Sequence, residues 1–512
     1  MTLGALDGKL AGMTKLCNLG DLIDRSRDPG EIALIDLGDN AREYSHGELD
    51  RDANAVARGL RARGLAMGDR VAILSANRAV FLTAYFGVMR AGMIAVPVNY
   101  KFPAPTIAFI LRDAEIKLVF ADAGRANSVP RDMPLVVFGA EFDAFVDPGE
   151  FKSVQPADDV AMFLYTSGST GRPKGVPLTH RGHLWVVDTR VAALDRRDHR
   201  VLVAAPLYHM NALAVSKFAI AAHLTIILMP QFTAPEYISA IAAHRATWLT
   251  SVPTMLAMVA RERELLSHTD LSSVRIARMG SAPVSHALFA ALRQILPNAQ
   301  ITNGYGTTEG GPAVYGPHPD GLPQPDISVG YPRPGQGARL VDGDKLDADQ
   351  GVLHCRNPSV MPGYHNLPEK TAEVLSADGW YDTGDIMRRD ENGFHYFVGR
   401  TDDMFNCGGE NVYPSEVERL IERHPEVEQA CVVAVPDAIK GFKPAAFVVA
   451  KAGAAPGAAA IKEFTLAHGP AYRHPRQVFL VAVLPLTGTN KIDRNLLTER
   501  AVREAQAMEG AE

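Results

Sequence analysis

Residues 165–175 combine four serine and threonine hydroxyls, three glycines and a lysine within eleven positions. Glycine lets backbone N–H groups approach a ligand closely, hydroxyls donate hydrogen bonds to oxyanions, and lysine adds a compact positive charge. The spacing of the ordinary P-loop is absent, so composition alone leaves a phosphate cradle and a solvated linker both open. The candidate phosphate-binding residues are Thr166, Ser167, Gly168, Ser169, Thr170, Gly171 and Lys174.

A second candidate site is the segment 303–309, which reads Asn-Gly-Tyr-Gly-Thr-Thr-Glu. A tyrosine between two glycines offers a planar face on which a purine can stack, and a nearby carboxylate can hold a magnesium ion that bridges phosphates. Taken by itself, the segment favours a tight turn with a partly buried tyrosine over a nucleotide site. The candidate residues are Asn303, Tyr305, Gly306, Thr307 and Glu309.

Asp385 closes the segment Trp-Tyr-Asp-Thr-Gly-Asp at 380–385. A carboxylate that accepts hydrogen bonds from two neighbouring hydroxyls is a common way to hold a ribose. An aspartate beside a glycine is also a frequent turn residue, and the residue types do not separate the two roles.

In this order, the segments resemble the signatures of the adenylate-forming superfamily, which includes acyl-CoA and aryl-CoA synthetases, luciferases and peptide-synthetase adenylation domains. The motif style is most similar to the branch of 4-chlorobenzoate–CoA ligase and fatty-acyl-CoA synthetases. The resemblance covers nearly the whole chain. It implies that Tyr305 packs on adenine, Glu309 coordinates Mg2+ and acts with Thr166 in catalysis, and Asp385 holds the ribose. It also implies that Arg400 lies near ribose and phosphate and that Asp402 is a hinge between two domains.

Lys491 lies in the segment 485–494, which resembles the catalytic-lysine loop of the family. The implied reaction joins a carboxylate to an α-phosphate, both anionic, and a cation between them offsets their repulsion. Many members carry glycine before this lysine, whereas this chain has Asn490. The resemblance therefore predicts that Lys491 is the main catalytic residue, through its charge.

Three further segments resemble parts of the family's active site. His209 would position groups at the mouth of the acyl pocket, and Ser281, Ala282 and Pro283 would line the adenine and the acyl group. Gly408, Gly409 and Glu410 resemble the segment of the CoA-ligase branch along which the pantetheine arm passes. Paired glycines allow that close passage, although a plain turn is the alternative.

The resemblance predicts an acyl-CoA synthetase that uses ATP, CoA and Mg2+ to activate a small carboxylic acid. Met210, Leu213, Ala282 and Gly304 favour an aromatic or medium-length acid, while Asn211 could meet either a polar substituent or solvent. Acetylation of Lys491 by a lysine acetyltransferase would remove its charge. The sequence predicts neither the identity of the acid nor the oligomeric state.

Three alternatives stay open. A ligase that loads an acyl-carrier protein would share every motif. A peptide-synthetase adenylation domain usually carries an aspartate near Phe218, and none occurs between Leu207 and Ala222. A non-enzymatic nucleotide-binding regulator is disfavoured because both Glu309 and Lys491 are present.

Strands and helices must alternate to position these segments. Ser45 and Glu48 have the spacing of a capping box before a helix, and further apolar runs alternate with helical patterns up to about residue 330. This pattern predicts an α/β fold with two doubly wound sheets. Glycine- and proline-rich short strands follow and indicate a small barrel-like subdomain. From residue 401, a capping box at Ser415 and new strands indicate a small mobile α+β domain, so the predicted domains are 1–400 and 401–512.

Bulk composition excludes few functions. The 512 residues carry a formal net charge of −6, which does not favour nucleic acid as a partner. Four widely spaced cysteines form no C-x-x-C pair and predict neither a disulfide framework nor a zinc site. We expect no signal peptide and no integral membrane segment, and therefore a cytoplasmic protein.

Overall fold

The computed structural model describes residues 16–38, 41–156, 158–167, 172–194, 198–333, 337–437, 439–488 and 491–509. Gly168, Ser169, Thr170 and Gly171 of the predicted phosphate loop lie outside the described residues, as does Asn490. The helices are α1 His46–Ala62, α2 Ala79–Arg90, α3 Ala104–Asp113, α4 Ala140–Phe145, α5 His180–Ala192, α6 Met210–Ala221, α7 Ala234–His244, α8 Pro253–Arg261, α9 Arg263–Ser267, α10 His286–Ile295, α11 Pro368–Val374, α12 Pro414–Ile421, α13 Ala458–His468 and α14 Arg494–Glu509.

The strands fall into three runs along the chain. The first contains β1 Ile32–Asp36, β2 Arg42–Ser45, β3 Arg70–Leu74, β4 Ile94–Pro97, β5 Leu118–Ala121, β6 Leu135–Val137, β7 Val160–Ser167, β8 Pro173–Thr179, β9 Arg200–Val203, β10 Thr225–Leu228, β11 Trp248–Ser251, β12 Ile276–Gly280 and β13 Gln300–Gly304. The second contains β14 Tyr315–Gly316, β15 Ser328–Pro332, β16 Gly337–Asp342, β17 Lys345–Leu346, β18 Gln350–Arg356, β19 Tyr381–Arg389 and β20 His395–Arg400. The third contains β21 Phe405–Cys407, β22 Glu410–Val412, β23 Val427–Asp437, β24 Gly441–Ala450 and β25 Gln477–Leu480.

Two largely parallel sheets form the first part of the chain, as the alternating pattern predicted. One has the order β13-β12-β11-β9-β10-β1-β2 and the other β6-β5-β3-β4-β7-β8, with β2 and β8 as antiparallel edge strands. Val71 and Ile73 of β3 face a core shared with α1 and α2, while Ala72 and Leu74 face a second core against α3. Alternate residues of one strand are thus buried on both faces, which is why these strands are continuous apolar runs.

The capping box predicted at Ser45 is confirmed. Ser45 accepts a hydrogen bond from the backbone N–H of Glu48, whose side chain accepts one from the Ser45 N–H, so α1 begins with the predicted capping box. Thr179 caps α5 by accepting from the N–H of Gly182.

The predicted capping box at Ser415 is wrong. Helix α12 begins two residues earlier than that box requires, at Pro414, with Tyr413 as its N-cap and no side-chain cap. Proline fixes the φ angle that the first helical position requires and lacks the N–H that a cap would satisfy. The Ser415 hydroxyl instead donates to the carbonyl of Val398, and Glu418 pairs with Arg494.

An antiparallel sheet with the order β14-β15-β20-β19-β18-β16-β17 follows, and the last strands form a separate sheet, β22-β21-β24-β23, with β25 beside β24. This last sheet has its own cores, one against α12 and α13 and the other against α14. No helix within the described residues is both long enough and apolar enough to cross a bilayer.

Candidate active site

One cleft of about 2040 Å³ receives the ends of strands from all the large sheets and the loop before α14. Most predicted site residues line it: Thr166, Lys174, His209, Ser281, Ala282, Pro283, Asn303, Tyr305, Gly306, Thr307, Glu309, Asp385, Arg400, Asp402 and Lys491. Ser167 lies at the end of β7, beside the part of the loop outside the described residues. Segments separated by more than 300 positions therefore meet in one place.

The carboxyl ends of β12 and β13 place two of these segments side by side. The strands are parallel neighbours in register, with Met279 opposite Asn303 and Gly280 opposite Gly304. Ser281 and Tyr305, the next residues, therefore leave the sheet together at the edge where open α/β sheets bind ligands. Ser281 has φ 68°, a left-handed backbone that turns the chain sharply into the cleft.

Asp385 forms hydrogen bonds with both Tyr305 and Arg400, which the sequence predicts to lie beside the nucleotide. The Tyr305 hydroxyl donates to Asp385 Oδ2 at 2.5 Å, and Arg400 Nη1 donates to Oδ1 at 2.7 Å. Burial raises the pKa of the Asp385 carboxyl, and the Arg400 guanidinium opposes that rise. Asp402, 3.4 Å from Arg400, adds a second carboxylate at the rim. The positive charge of Arg400 is therefore compensated by two carboxylates of the same chain, Asp385 and Asp402.

Glu309 faces the hairpin of β7 and β8, which carries the predicted phosphate-binding residues Thr166 and Lys174. The hydroxyls of Thr166 and Tyr364 donate to Glu309 Oε1 at 3.4 and 3.2 Å, and Lys174 Nζ lies 4.5 Å from the centre of the Tyr364 ring. The hairpin of β7 and β8 pairs Thr166 with Lys174 in register, so the lysine and hydroxyl stand opposite each other at its tip. A carboxylate, hydroxyls and an ammonium therefore surround one small region of the cleft.

Tyr364 is a site residue that the sequence reasoning missed. It comes from a loop before α11 and is distant in sequence from Glu309, its hydrogen-bond partner. A tyrosine after a glycine at 363 was the only signal, and such a pair is common in ordinary turns.

Lys491 enters the cleft from the loop before α14. This loop contacts the first part of the chain, since the Tyr208 hydroxyl donates to the Gly488 carbonyl at 3.4 Å. A Cβ at Gly488 would lie 3.2 Å from Lys101 Cδ, so a small residue suits this contact. Partial desolvation lowers the pKa of Lys491, and the Asp385 carboxylate acts in the opposite direction.

His209 precedes α6 at the mouth of the cleft. Burial lowers its pKa to about 3, and the charges of Lys491 and Lys101 contribute. Nε2 has no hydrogen-bond partner among the described residues. The imidazole is therefore neutral at physiological pH, which suits a positioning group and not a proton donor.

Two acyl-pocket expectations change in the structure. Leu213 does not line the cleft, because it points from α6 into the core and is fully buried. Asn211 does line it, and its Oδ1 accepts from the Thr250 hydroxyl at 3.1 Å. Asn303 also has a structural contact, since its side-chain amide donates to the Ile327 carbonyl at 2.9 Å.

The segment Gly408–Gly409–Glu410 lies outside the lining of the cleft. Gly408 and Gly409 form the two-residue turn between β21 and β22, with φ of 65° and 95°. Positive φ at both positions is the geometry of a tight hairpin turn, for which glycine is well suited. Asn406 Oδ1 accepts from the Gly409 N–H at 2.8 Å and closes the turn. A role along a pantetheine arm stays a prediction.

Comparison with known proteins agrees with this geometry. The family model described as "AMP-binding enzyme" matches residues 24–365, and "AMP-binding enzyme C-terminal domain" matches residues 416–491. A feruloyl-CoA synthase from Amycolatopsis sp is 34% identical over 482 residues, covering 92% of this chain and 96% of that protein. A fatty acid–[acyl-carrier-protein] ligase, ScoC, from Streptomyces coeruleorubidus is 33% identical and covers 90% of this chain and 92% of its own length.

Solved structures share the same architecture. The anthranilate CoA ligase AuaEII in complex with anthranoyl-AMP has a TM-score of 0.87 and 26% identity, covering 97% of this chain and all of that one. The family models span both the sheets that build the cleft and the region that supplies Lys491. The chain therefore belongs to the AMP-binding enzyme family, as an AMP-forming acid–thiol ligase.

Proposed function

We propose that this ligase converts a carboxylic acid and ATP into an acyl-adenylate and pyrophosphate, and that the thiol of CoA then displaces AMP. The acyl-adenylate divides one difficult substitution into two easier ones with a good leaving group. The observation that carries the proposal is the convergence of Lys491, Asp385 and Glu309 on one cleft. Tyr305 would pack on adenine, while Asp385 and Arg400 would hold the ribose.

Lys491 would act through its charge during the first step. The attacking carboxylate and the α-phosphate are both anionic, so an ammonium between them lowers the barrier electrostatically. Its pKa is lowered, yet the neighbouring Asp385 carboxylate favours the charged form. Acetylation of this amine would remove the charge, and it stays a prediction that no contact in the structure addresses.

The residues near Glu309 fit a magnesium ion bound together with ATP. Mg2+ commonly takes one or two protein carboxylates, with substrate phosphates and water completing its shell. Glu309 supplies the carboxylate and Thr166 a nearby hydroxyl, with Oγ1 3.4 Å from Oε1. The ion would neutralise phosphate charge, whereas Lys174 and the hydroxyls of the hairpin would hold the departing pyrophosphate.

The second step would need a different arrangement of the last part of the chain. Lys491 occupies the cleft, whereas Gly408 and Gly409 lie outside it. Rotation of residues 401–512 about Asp402 would exchange the two segments, with residues 1–400 fixed. The ion pair of Arg400 with Asp402 spans this position and would be the first contact to change.

Acid-dependent exchange of labelled pyrophosphate into ATP tests the first half-reaction. We expect exchange with at least one carboxylic acid and none without acid. Binding of ATP without exchange, for every acid supplied, would contradict the proposal and favour a nucleotide-binding regulator.

The acceptor needs a separate experiment because a carrier-protein ligase is among the relatives. Purified enzyme would be given one acid, ATP and either CoA or a phosphopantetheinylated carrier protein. We expect thioester formation with CoA. Thioester on the carrier protein alone would replace CoA as the acceptor while leaving the adenylation step intact.

A further inference from the structure

Three arginines line the cleft, and one of them, Arg278, lies against Gly304, which the sequence predicts to line the acyl pocket. Arg190 lies in the last turn of α5, Arg278 in the middle of β12 and Arg333 directly after β15, and all three line the cleft. We refer to Arg190, Arg278 and Arg333 as the arginine cluster. Their charges influence one another, since Arg278 and Arg333 both lower the pKa of Arg190.

The strand pattern explains why Arg278 faces the cleft. Ala277 and Met279 are buried in the core behind the sheet, so the alternate residue Arg278 points to the opposite face. Thr250 and Thr302 stand beside it in register on the neighbouring strands. A guanidinium therefore projects from the centre of an otherwise neutral sheet surface.

The protein supplies almost no partners for these cations. Among the residues that the structure describes, the side chain of Arg278 has no hydrogen-bond or ion-pair partner, and no carboxylate pairs with any member of the cluster. Arg190 donates once, to the Pro312 carbonyl at 3.2 Å, and Arg333 once, to the Tyr315 carbonyl at 3.1 Å. A guanidinium has five N–H donors, so most of the hydrogen-bonding capacity of the cluster faces the cleft.

Desolvation makes this arrangement unfavourable for the protein alone. Burial, followed by mutual repulsion, lowers the pKa of Arg190 to about 9 and that of Arg278 to about 10. Burial also lowers the pKa of Arg333. Charges enclosed without a counter-ion are costly and are normally paired.

Arg90 shows how the same chain compensates a buried guanidinium elsewhere. It is fully buried, pairs with Asp50 at 2.6 Å and donates to Asn54 Oδ1 at 2.6 Å and the Gly20 carbonyl at 2.6 Å. Within the described parts of the chain, the arginine cluster has no such set of partners, and a bound anion would supply one.

The position of the cluster separates it from the phosphate-binding residues. A Cβ on Gly304 would lie 2.7 Å from Arg278 Nε, and one on Gly316 would lie 2.9 Å from Arg333 Cζ. The cluster thus packs along the end of β13 and on β14, whereas Thr166, Lys174 and Glu309 surround the hairpin of β7 and β8. Among the described residues, none of the three arginines forms a hydrogen bond or ion pair with that hairpin.

We propose that the acid activated by this ligase carries a second anionic group, a carboxylate or a sulfonate, which the arginine cluster binds. This inference rests on the proposed function, because it names the substrate class of the same site. Guanidinium groups bind carboxylates with two parallel hydrogen bonds, and such pairs are strong when water is excluded. An aromatic or medium-length carbon frame between the two acidic groups is compatible with the lining at Met210 and Ala282.

The test compares acids that differ only in the distal group. The pairs are glutarate with pentanoate, terephthalate with 4-methylbenzoate, and 3-sulfopropanoate with butanoate, each assayed by pyrophosphate exchange. For the pair of acids that the enzyme uses best, we expect kcat/KM to favour the dianionic member by about 10²-fold or more. Arg278→Met should abolish most of that preference, chiefly by lowering kcat/KM for the dianion, with the KM for ATP unchanged.

Arg181→Met is the matched control, since Arg181 lies on the same helix as Arg190 with its side chain 84% exposed. It should keep the wild-type preference. If Arg278→Met does not fold, Arg190→Met and Arg333→Met are judged by the same criterion. Equal or better use of the monoanions by the wild type, or a change in the KM for ATP or CoA in place of the acid, would overturn the proposal.

Binding separates failure of this inference from failure of the proposed function. The sulfamoyl-adenosine conjugates of glutarate and pentanoate imitate the two acyl-adenylates without reacting, and calorimetry measures their affinities. Tighter binding of the glutaryl conjugate by tenfold or more, lost in Arg278→Met, supports the cluster even if no acid supports exchange. Equal affinities, or equal loss for both conjugates, would contradict it even in an active enzyme.

Discussion

The two ends of the cleft treat charge in opposite ways. At the proposed nucleotide end, formed by Tyr305, Asp385 and Arg400, the Arg400 guanidinium is 2.7 Å from the Asp385 carboxylate, which also accepts a hydrogen bond from the Tyr305 hydroxyl. At the acyl end, the arginine cluster has no carboxylate among the described residues. The first end is preorganised by the chain, whereas the second is complete only when a substrate brings its own anion.

This difference reflects what each end must recognise. ATP is a constant substrate, and a network with satisfied hydrogen bonds holds its ligands in one geometry before binding. The acid is the variable substrate of the family, and an unpaired cation discriminates strongly because the wrong acid leaves it buried without a partner. The specificity for the acid would therefore come from the free-energy cost of leaving the arginine cluster without an anion when the wrong acid binds.

The largest expected effect comes from removing the ammonium group of Lys491. Lys491→Ala should lower adenylation by about 10³-fold, because no other ammonium in the described residues enters that part of the cleft from the loop before α14. Thioester formation from a supplied acyl-adenylate should fall by less than tenfold. Lys370→Ala, which removes an exposed lysine paired with Glu373, is the control. Equal loss in both half-reactions would contradict the division of roles.

Asp385→Asn tests the nucleotide end. The amide keeps the shape of the side chain but removes the charge that compensates Arg400, and it weakens acceptance from ribose hydroxyls. We expect the KM for ATP to rise by about 10²-fold with a smaller change in the KM for the acid. A change in the KM for the acid, with the KM for ATP unaltered, would show that the two ends of the cleft do not bind separate substrates.

Two substitutions compare how the charges at each end of the cleft affect the free energy of unfolding of the protein. Arg278→Met should raise the free energy of unfolding of the ligand-free protein by about 1 kcal/mol, since it removes an uncompensated charge. Arg400→Met should lower it by about 3 kcal/mol, since Asp385 then stays buried without its partner. Urea denaturation measures both, and Arg181→Met should change stability by less than about 0.5 kcal/mol. If Arg278→Met and Arg400→Met lowered the free energy of unfolding by similar amounts, the two ends would not differ in how their charges are compensated.

The smallest expected effect is a shift in pH dependence. Lysine is charged below its pKa, and desolvation lowers the pKa of Lys491, so adenylation should decline at a pH below the usual value of 10.5. Lys491→Arg keeps the charge to higher pH and should displace that decline upward at reduced rate. His209, with a pKa of about 3, should contribute no step between pH 5 and 8. An acid limb near pH 6.5 that His209→Asn removes would contradict its neutral state.

Short contiguous motifs predicted from sequence which segments would meet at the cleft. Tyr305, Asp385 and Lys491 each lie in a segment that resembles a signature of the family, and all three line the cleft. Capping signals such as Ser45 depend only on the next three positions. Ser415 failed because the proline before it took the first helical position, so two local preferences competed.

The arginine cluster could not be predicted because no motif contains it. Its arginines come from a helix, a strand and a loop that only the folded chain brings together, and Tyr364 reaches Glu309 in the same way. One local signal existed at Arg278, a charged residue within an otherwise apolar strand, where a side chain must either pair or face a cavity. The helical position of Leu213 gave the opposite error, because its apolar side chain faces the core.

The most direct test of the contrast is a crystal structure of the protein with the sulfamoyl-adenosine conjugate of the preferred dianionic acid. Our account predicts the ribose on Asp385 and the distal anionic group within about 3 Å of guanidinium nitrogens of Arg278 or Arg190. A distal group directed into solvent, with the arginine cluster still without an anion, would contradict it.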